Sequence, residues 1–447
     1  MASTMTGFVV LFNIGILMPS IAEDLNLSPA QQGMLGAASS WGNMVLALPL
    51  GWWTARFSPK VVIASTLVLG ALLIFVQGWS PAFAVLLLAR VGFGVALMAM
   101  EPPGAALIAQ WFPADRIVFV NSLSNASFGF VMGAGLVATP FILTLLGGDW
   151  RTAFYVSGGL YAVLTVAWIL FGRDRHPVAK RRGKVPDGGA LEVEAEGVST
   201  STGPGVEAET IGASVLIAVE VETPGASTSV RDTLLHRDLL LACLGMAGAV
   251  MAWAAFISFF PTLMLERYDV ALEWSGGLLA INMGIGGITG VVMAFLLGRS
   301  RLLNPVLVVL GLAMTAGYVA MTLTESLPLL VLYAALSGLS GAYFPLLYSA
   351  AFQLKGVTRD RIPIAVAAVM TAVSVGMVVG PMMTGFLQEA MGDLRLPLII
   401  ASMAGLILVP VGALISLVQP QADTPEAGRS DPSTGDPPAP VGAEAAS

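Results

Sequence analysis

The sequence predicts an all-α membrane protein of twelve transmembrane helices, arranged as two parallel six-helix repeats. Three observations predict it. Its 447 residues are 56% hydrophobic and only 11% charged, with a mean hydropathy of +0.82, whereas an ordinary soluble domain is about 25% charged. Apolar runs of roughly 20 residues, the length that crosses a bilayer core as a helix, recur along nearly the whole chain. They are continuous, unlike the short alternating segments of a β-barrel. Finally, glycines recur at a nearly constant offset between the two ends of the chain.

The first run, about 6–22, contains Asn13. The start MASTMTGF lacks the basic n-region and small-residue cleavage site of a signal peptide, so none is expected. The second, 30–53, includes Trp41 and Asn43 and ends in GWWTARFSPK; the third is 61–79. The fourth, 82–110, contains LLLARVGFG and then LMAMEPPGAAL, where a carboxylate and two prolines interrupt an otherwise apolar stretch. The fifth, 117–146, opens on DRI and holds Asn121, Asn125 and GFVMGAG; the sixth is 150–171.

Residues 172–236 break the pattern. RDRHPVAKRRGK gives way to an acidic, Gly/Ser/Thr/Pro-rich stretch, the composition of a disordered cytoplasmic linker. Its apolar patch SVLIAVEV is too short to span. Six further runs follow: 237–262 with Cys243 and Trp253, 274–298 with Asn282, 304–324, 328–354 with Tyr348, 362–388 with GMVVGPMMTG, and 396–418. The predicted organisation is therefore a helical bundle over 1–171, a linker over 172–236, a second bundle over 237–418, and a disordered tail over 419–447.

An offset of 247 carries Gly51 to Gly298, Gly94 to Gly341, and Gly129 and Gly133 to Gly376 and Gly380. The tripeptide DRI recurs at Asp115-Arg116-Ile117 and Asp360-Arg361-Ile362. Each half has an even number of spans, so the repeats enter the membrane in the same direction.

Seventeen of the 21 Lys and Arg residues fall in segments that are cytoplasmic if the N-terminus is inside; Arg151, Arg267 and Arg395 fall outside, and Arg90 within a span. The positive-inside rule then places both termini in the cytoplasm of an inner (plasma) membrane. Seven of the nine tryptophans sit at proposed helix ends, and Trp41 and Trp253 sit mid-membrane. The net charge of -7 leaves no basic stripe for nucleic acid. A single cysteine allows no intrachain disulfide, and the two histidines, His176 and His236, both lie in the linker. No phosphate-binding loop or metal-spaced cluster occurs, so the expectation is no enzyme, no cofactor and no metal.

These features together resemble the major facilitator superfamily of secondary transporters over roughly 6–418. GWWTARFSPK resembles the family's loop signature through Gly51, Arg56 and Lys60, with Ala55 where the signature has an acid. Arg90 and Gly94 resemble the Arg motif of the fourth span. GFVMGAG keeps two glycines of the antiporter signature but has Ala134 in place of its proline, while GMVVGPMMTG has Pro381. The resemblance implies gating roles for Gly51, Arg56, Asp115, Arg116, Gly376, Gly380 and Pro381. It implies alternating access by a monomer in the bilayer. Loss of the loop acid at Ala55 further suggests a resting state that faces inward.

Arg90 and Glu101 are eleven residues apart, within about 20° of whole turns of a helix, so they share one stripe subject to any kink at Pro102 and Pro103. A charge facing lipid is costly, which turns the stripe towards the bundle interior. Arg90 reads either as a structural group bonded to carbonyls or as the counter-charge of an anion. Glu101 reads either as its partner or as the proton-coupling group. Anion:cation symporters of the resembled superfamily place an Arg and a Glu seven residues apart in this helix, whereas position 97 here is Leu. The offset maps Arg90 to Ser337 and Glu101 to Tyr348. Asn13, Trp253, Asn282 and Tyr348 complete the candidate substrate site, and helix packing is the alternative for each. The reading is a proton-coupled carrier of a small organic anion. The alternatives are a proton-driven exporter of drugs or metabolites, or a non-transporting receptor on a transporter fold.

Overall fold

In lipid, long apolar segments satisfy their backbone polar groups as helices. The computed structural model describes residues 2–54, 56–112, 114–145, 147–173, 233–297, 303–350 and 362–415. Most of the predicted linker (174–232) and tail (416–447) lies outside the described residues, as do Ala55, Gly298, Asp360 and Arg361. The first span is α1 (Ala2–Phe12) and α2 (Ile14–Leu25), bent by 44° about Asn13. Then come α3 (Pro29–Thr54), α4 (Pro59–Trp79), the broken pair α5 (Phe83–Ala99) and α6 (Glu101–Trp111), α7 (Ala114–Leu145) and α8 (Trp150–Phe171). The second half runs α9 (Arg237–Tyr268), α10 (Leu272–Leu297), α11 (Leu303–Leu323), α12 (Leu327–Leu339), α13 (Tyr343–Ala350), α14 (Ile362–Met391), α15 (Arg395–Ser402) and α16 (Leu408–Leu414).

Among the described residues, ten helices are long and apolar enough to cross a membrane, or eleven counting the bent first pair. The sequence predicted twelve. The helix outside that number is α3, whose run PAQQGMLGAASSWGN mixes polar with small residues.

Local chemistry sets the boundaries. Pro59 occupies the first position of α4, where a missing N–H costs nothing. Asp149 caps α8 by accepting from the Arg151 N–H at 3.0 Å. Gly147 and Gly148, at φ 81° and 83°, make the tight turn before it, a backbone that a side chain would oppose. Among the tryptophans expected at the membrane surface, Trp79 and Trp274 are exposed. Trp150 is instead buried edge-on against Phe154, with Arg151 stacked over its ring at 4.4 Å.

The internal repeat reappears as equivalent contacts. Gly94 lies so close to the Ser39 backbone that a Cβ would overlap its carbonyl, and the offset of 247 carries this pair to Gly341 and Gly286, which are also in close contact. Between the halves, α3 packs on α14 and α7 on α10. Pro381 meets Gly33 and Gly36 across one seam, and Gly133 meets Ala280 across the other. The offset carries Gly33 to Ala280 and Pro381 to Ala134, the neighbour of Gly133.

Candidate functional site

Arg90 is 1% exposed, buried where an unpaired cation would be prohibitive. Its Nε donates to the Leu35 carbonyl at 3.1 Å, one terminal nitrogen to Gln77 Oε1 at 3.4 Å, and the other to the Leu11 carbonyl at 2.8 Å. Leu11 lies in the last turn of α1, where a helix end leaves carbonyls open. Arg90 thus ties the break in the first span to α3 and α4. In the second half the equivalent pair is Asn282 and Ser337, whose side chains hydrogen-bond at 2.8 Å between α10 and α12. Two neutral residues make there the helix contact that Arg90 makes with Leu35.

Asn13 forms the break itself. Its amide nitrogen donates to Thr139 Oγ1, while the Thr139 hydroxyl donates to the Gly135 carbonyl at 2.8 Å. Because threonine has one proton to give, this order fixes the amide, and Asn13 Oδ1 is left buried with no partner among the described residues. Glu101 is the first residue of α6, with Pro102 and Pro103 in its opening turn. Two prolines cannot continue the α5 hydrogen-bond ladder, so the helix breaks at Met100, and an acid suits the exposed N–H groups of the new start. Glu101 is half-buried, and among the described residues no ion pair joins it to Arg90.

A cavity lies between the halves, walled by α1 and α3 on one side and α9 and α14 on the other. Ser39, Ser40 and Ser258 line it, together with Leu11, Phe12 and Ile257. All three serines are at least nine-tenths buried. Pro261, inside α9, has no N–H to return to the Ile257 carbonyl. That carbonyl faces Gly15, where any side chain would collide with it.

Of the other predicted residues, Trp253 packs edge-on against Phe12 across the halves, with ring centroids 5.1 Å apart. Tyr348 is buried and stacked on Phe344, away from the residues lining the cavity. Gly376 and Gly380 pack closely on α9 within their own half, while Pro381 faces the other half. Gly51 lies in α3, and Asp115 and Arg116 lie in the first turn of α7, with their side-chain surroundings outside the described residues. Arg56 is exposed.

Two carboxylates that sequence reasoning passed over bridge the halves at the end assigned to the outside. Glu389 Oε2, on α14, accepts from Ser28 Oγ at 2.9 Å and from the Ala30 N–H at 3.0 Å, capping α3 from the opposite bundle. Glu273, on α10, accepts from Thr144 Oγ1 at 2.7 Å. A helix start or end facing another bundle was the available signal, but nothing in the sequence pairs the two. The cavity serines were equally hidden, since Gly36 and Ser40 at helical spacing read as a small-residue packing face.

Repeated helix contacts, two bundles and a cavity between them define a multi-pass helical membrane protein of the two-bundle type. The family model described as Major Facilitator Superfamily matches residues 1–356, and the chain belongs to that family. It is similar to the hexuronate transporter of Escherichia coli (strain K12), 27% identical over 175 residues, 39% of each chain. It is also similar to a probable sulfoacetate transporter of Cupriavidus necator, 22% identical over 163 residues, covering 36% of this chain and 37% of the relative. A third relative is a probable galactarate/D-glucarate transporter of Bacillus subtilis, 25% identical over 173 residues, 37% of each chain. The chain thus spans about two-fifths of the length of the curated relatives it matches. Among solved structures, a bacterial homologue of the human lysosomal transporter Spinster, inward-facing and occupied, superposes with a TM-score of 0.64 at 16% identity, covering 92% of both chains. The nucleoside transporter NupG gives 0.65 at 14% identity, covering 92% of this chain and 98% of that one. Both likenesses concern the fold.

Proposed function

We propose that this protein is a secondary carrier of small organic anions. It exposes the cavity between its halves to one side of the membrane and then to the other, with a proton held at Glu101 as the coupling ion. The observation that carries this reading is the cavity itself, built from both bundles and lined by buried serines from each. The names of the relatives supply the chemistry: hexuronate, sulfoacetate and galactarate are all organic acids. Arg90 lies one layer behind the wall, bonded to the carbonyl of the lining residue Leu11, and in a dry interior its charge reaches further than it would in water. We assign Arg90 the task of fixing the first span and biasing the cavity towards anions, rather than binding the anion directly. The carrier works as a monomer in an inner membrane with both termini cytoplasmic, the orientation favoured by the distribution of Lys and Arg.

Thermal unfolding of the purified protein in detergent, across a panel of organic acids and lipophilic cations, tests the reading. Stabilisation by at least one acid and by none of the cations is expected. The reverse pattern would replace this reading with that of a drug exporter.

A further inference from the structure

The cavity between the halves is closed in two unlike ways. Towards the start of α3 and the ends of α2, α9 and α14, main chain meets main chain across the halves. A Cβ on Gly15 would overlap the Ile257 carbonyl, one on Gly33 the Pro381 carbonyl, and one on Gly385 the Pro29 carbonyl. Backbones that approach this closely through small residues part only when whole helices separate.

At the opposite rim the closure is made of side chains. Phe12 meets Trp253 and Gly15 meets Ile257, so the first span and α9 run parallel across the cavity, and the Phe12–Trp253 contact lies nearer the N-terminus of each. The two rings meet edge-on, with centroids 5.1 Å apart and planes at 68°. Phe12 is backed by its own bundle: it stacks on Phe8 at 6.4 Å, and Phe8 meets Phe128 of α7 edge-on at 5.3 Å. Trp253, Phe8 and Phe128 are partly exposed, whereas every residue of α9 from Ala254 to Met264 is buried. Phe12 also ends α1, immediately before the 44° bend at Asn13.

We propose that Phe12 and Trp253 form a thin gate between the cavity and the face of the membrane that bears the N-terminus, opening by side-chain rotation while the bundles stay together. The inference goes beyond the carrier reading and rests on it for a cavity that opens to both faces. A side chain turns in far less time than two bundles move. An edge-on pair adds little beyond its buried area, so parting these rings costs less than parting the packed backbones at the other rim. The cavity as it stands has room for about one water molecule. A solute therefore reaches it only after one closure yields, and the aromatic pair yields first.

Labelling of a single cysteine by an impermeant maleimide tests the gate without any substrate, so failure here leaves the carrier reading standing. In a Cys243→Ala background, Ser258→Cys puts a thiol in the cavity wall. Sealed membrane vesicles of the two orientations present each face in turn, and protease access to an N-terminal tag identifies which. Labelling of the full chain should be at least about fivefold faster from the face bearing the N-terminus. Adding Trp253→Ala should raise that rate about fivefold again and leave the rate from the other face within about twofold, whereas Trp253→Phe, which keeps a ring, should label like the parent. Equal or slower labelling from the N-terminal face in the parent would overturn the gate. So would a Trp253→Ala rate that does not rise, or that rises from both faces alike. The parent ratio decides alone if Trp253→Ala fails to fold.

Discussion

Arg90 donates to three helices at once, and this depends on the planar fork of a guanidinium. A lysine at the position keeps the charge but reaches no such spread of acceptors, leaving the Leu11 carbonyl at the end of α1 and Gln77 Oε1 without the donor that Arg90 supplies. Arg90→Lys should therefore lower stability by on the order of 2 kcal/mol or more, read as a fall in the unfolding temperature of the unliganded protein. An unchanged unfolding temperature would return Arg90 to the role of direct anion ligand. Glu101 calls for a different measurement, because its half-buried carboxylate at a helix break has no ion-pair partner among the described residues. If it holds the coupling proton, Glu101→Gln should retain exchange of labelled for unlabelled substrate and lose uptake driven by a pH gradient. Gradient-driven uptake at the wild-type rate would remove Glu101 from the coupling mechanism.

The two seams between bundles are alike in their close helix approaches and differ in their latches. On the α3–α14 seam, Glu389 satisfies the exposed N–H groups that begin α3, a charge-assisted cap supplied by the other half. A cap of this kind contributes about 1 kcal/mol, and in the proposed alternating-access cycle it is made only while the outer end is closed. Losing a contact present in one state shifts the ratio of states, here about fivefold towards the outward-open form. Glu389→Ala should accordingly speed labelling, by an impermeant maleimide added outside, of a cysteine placed at the cavity residue Ala254 in a Cys243→Ala background. Labelling at an unaltered rate would show that the helix contacts alone hold this end shut. Glu273 and Thr144 make the corresponding bridge on the α7–α10 seam, so the double variant with Glu273→Gln should label faster still.

The architecture of the whole molecule was legible because the bilayer dictates helix length, and because Gly94 and Gly341 recur for one reason, the close approach of equivalent helices. The helix α3 escaped the apolar measure because its polar and small residues serve the seam and the cavity. The stripe joining Arg90 to Glu101 was legible as spacing, but the break at Met100 interrupts it. The partners of Arg90, 13, 55 and 79 residues away, exist only in the folded bundle. The serine cluster was invisible for a related reason, since a serine in a span resembles helix packing until the cavity opposite it is known. The expectation of an inward-facing rest, drawn from Ala55, concerns a position outside the described residues. The claim that joins these observations is that one cavity serves both sides of the membrane, and counterflow in proteoliposomes tests it most directly. Vesicles containing the full chain and preloaded with unlabelled galactarate should take up labelled galactarate transiently above its equilibrium level, without any ion gradient. Entry no faster than into protein-free vesicles, or entry indifferent to the preload, would contradict the account.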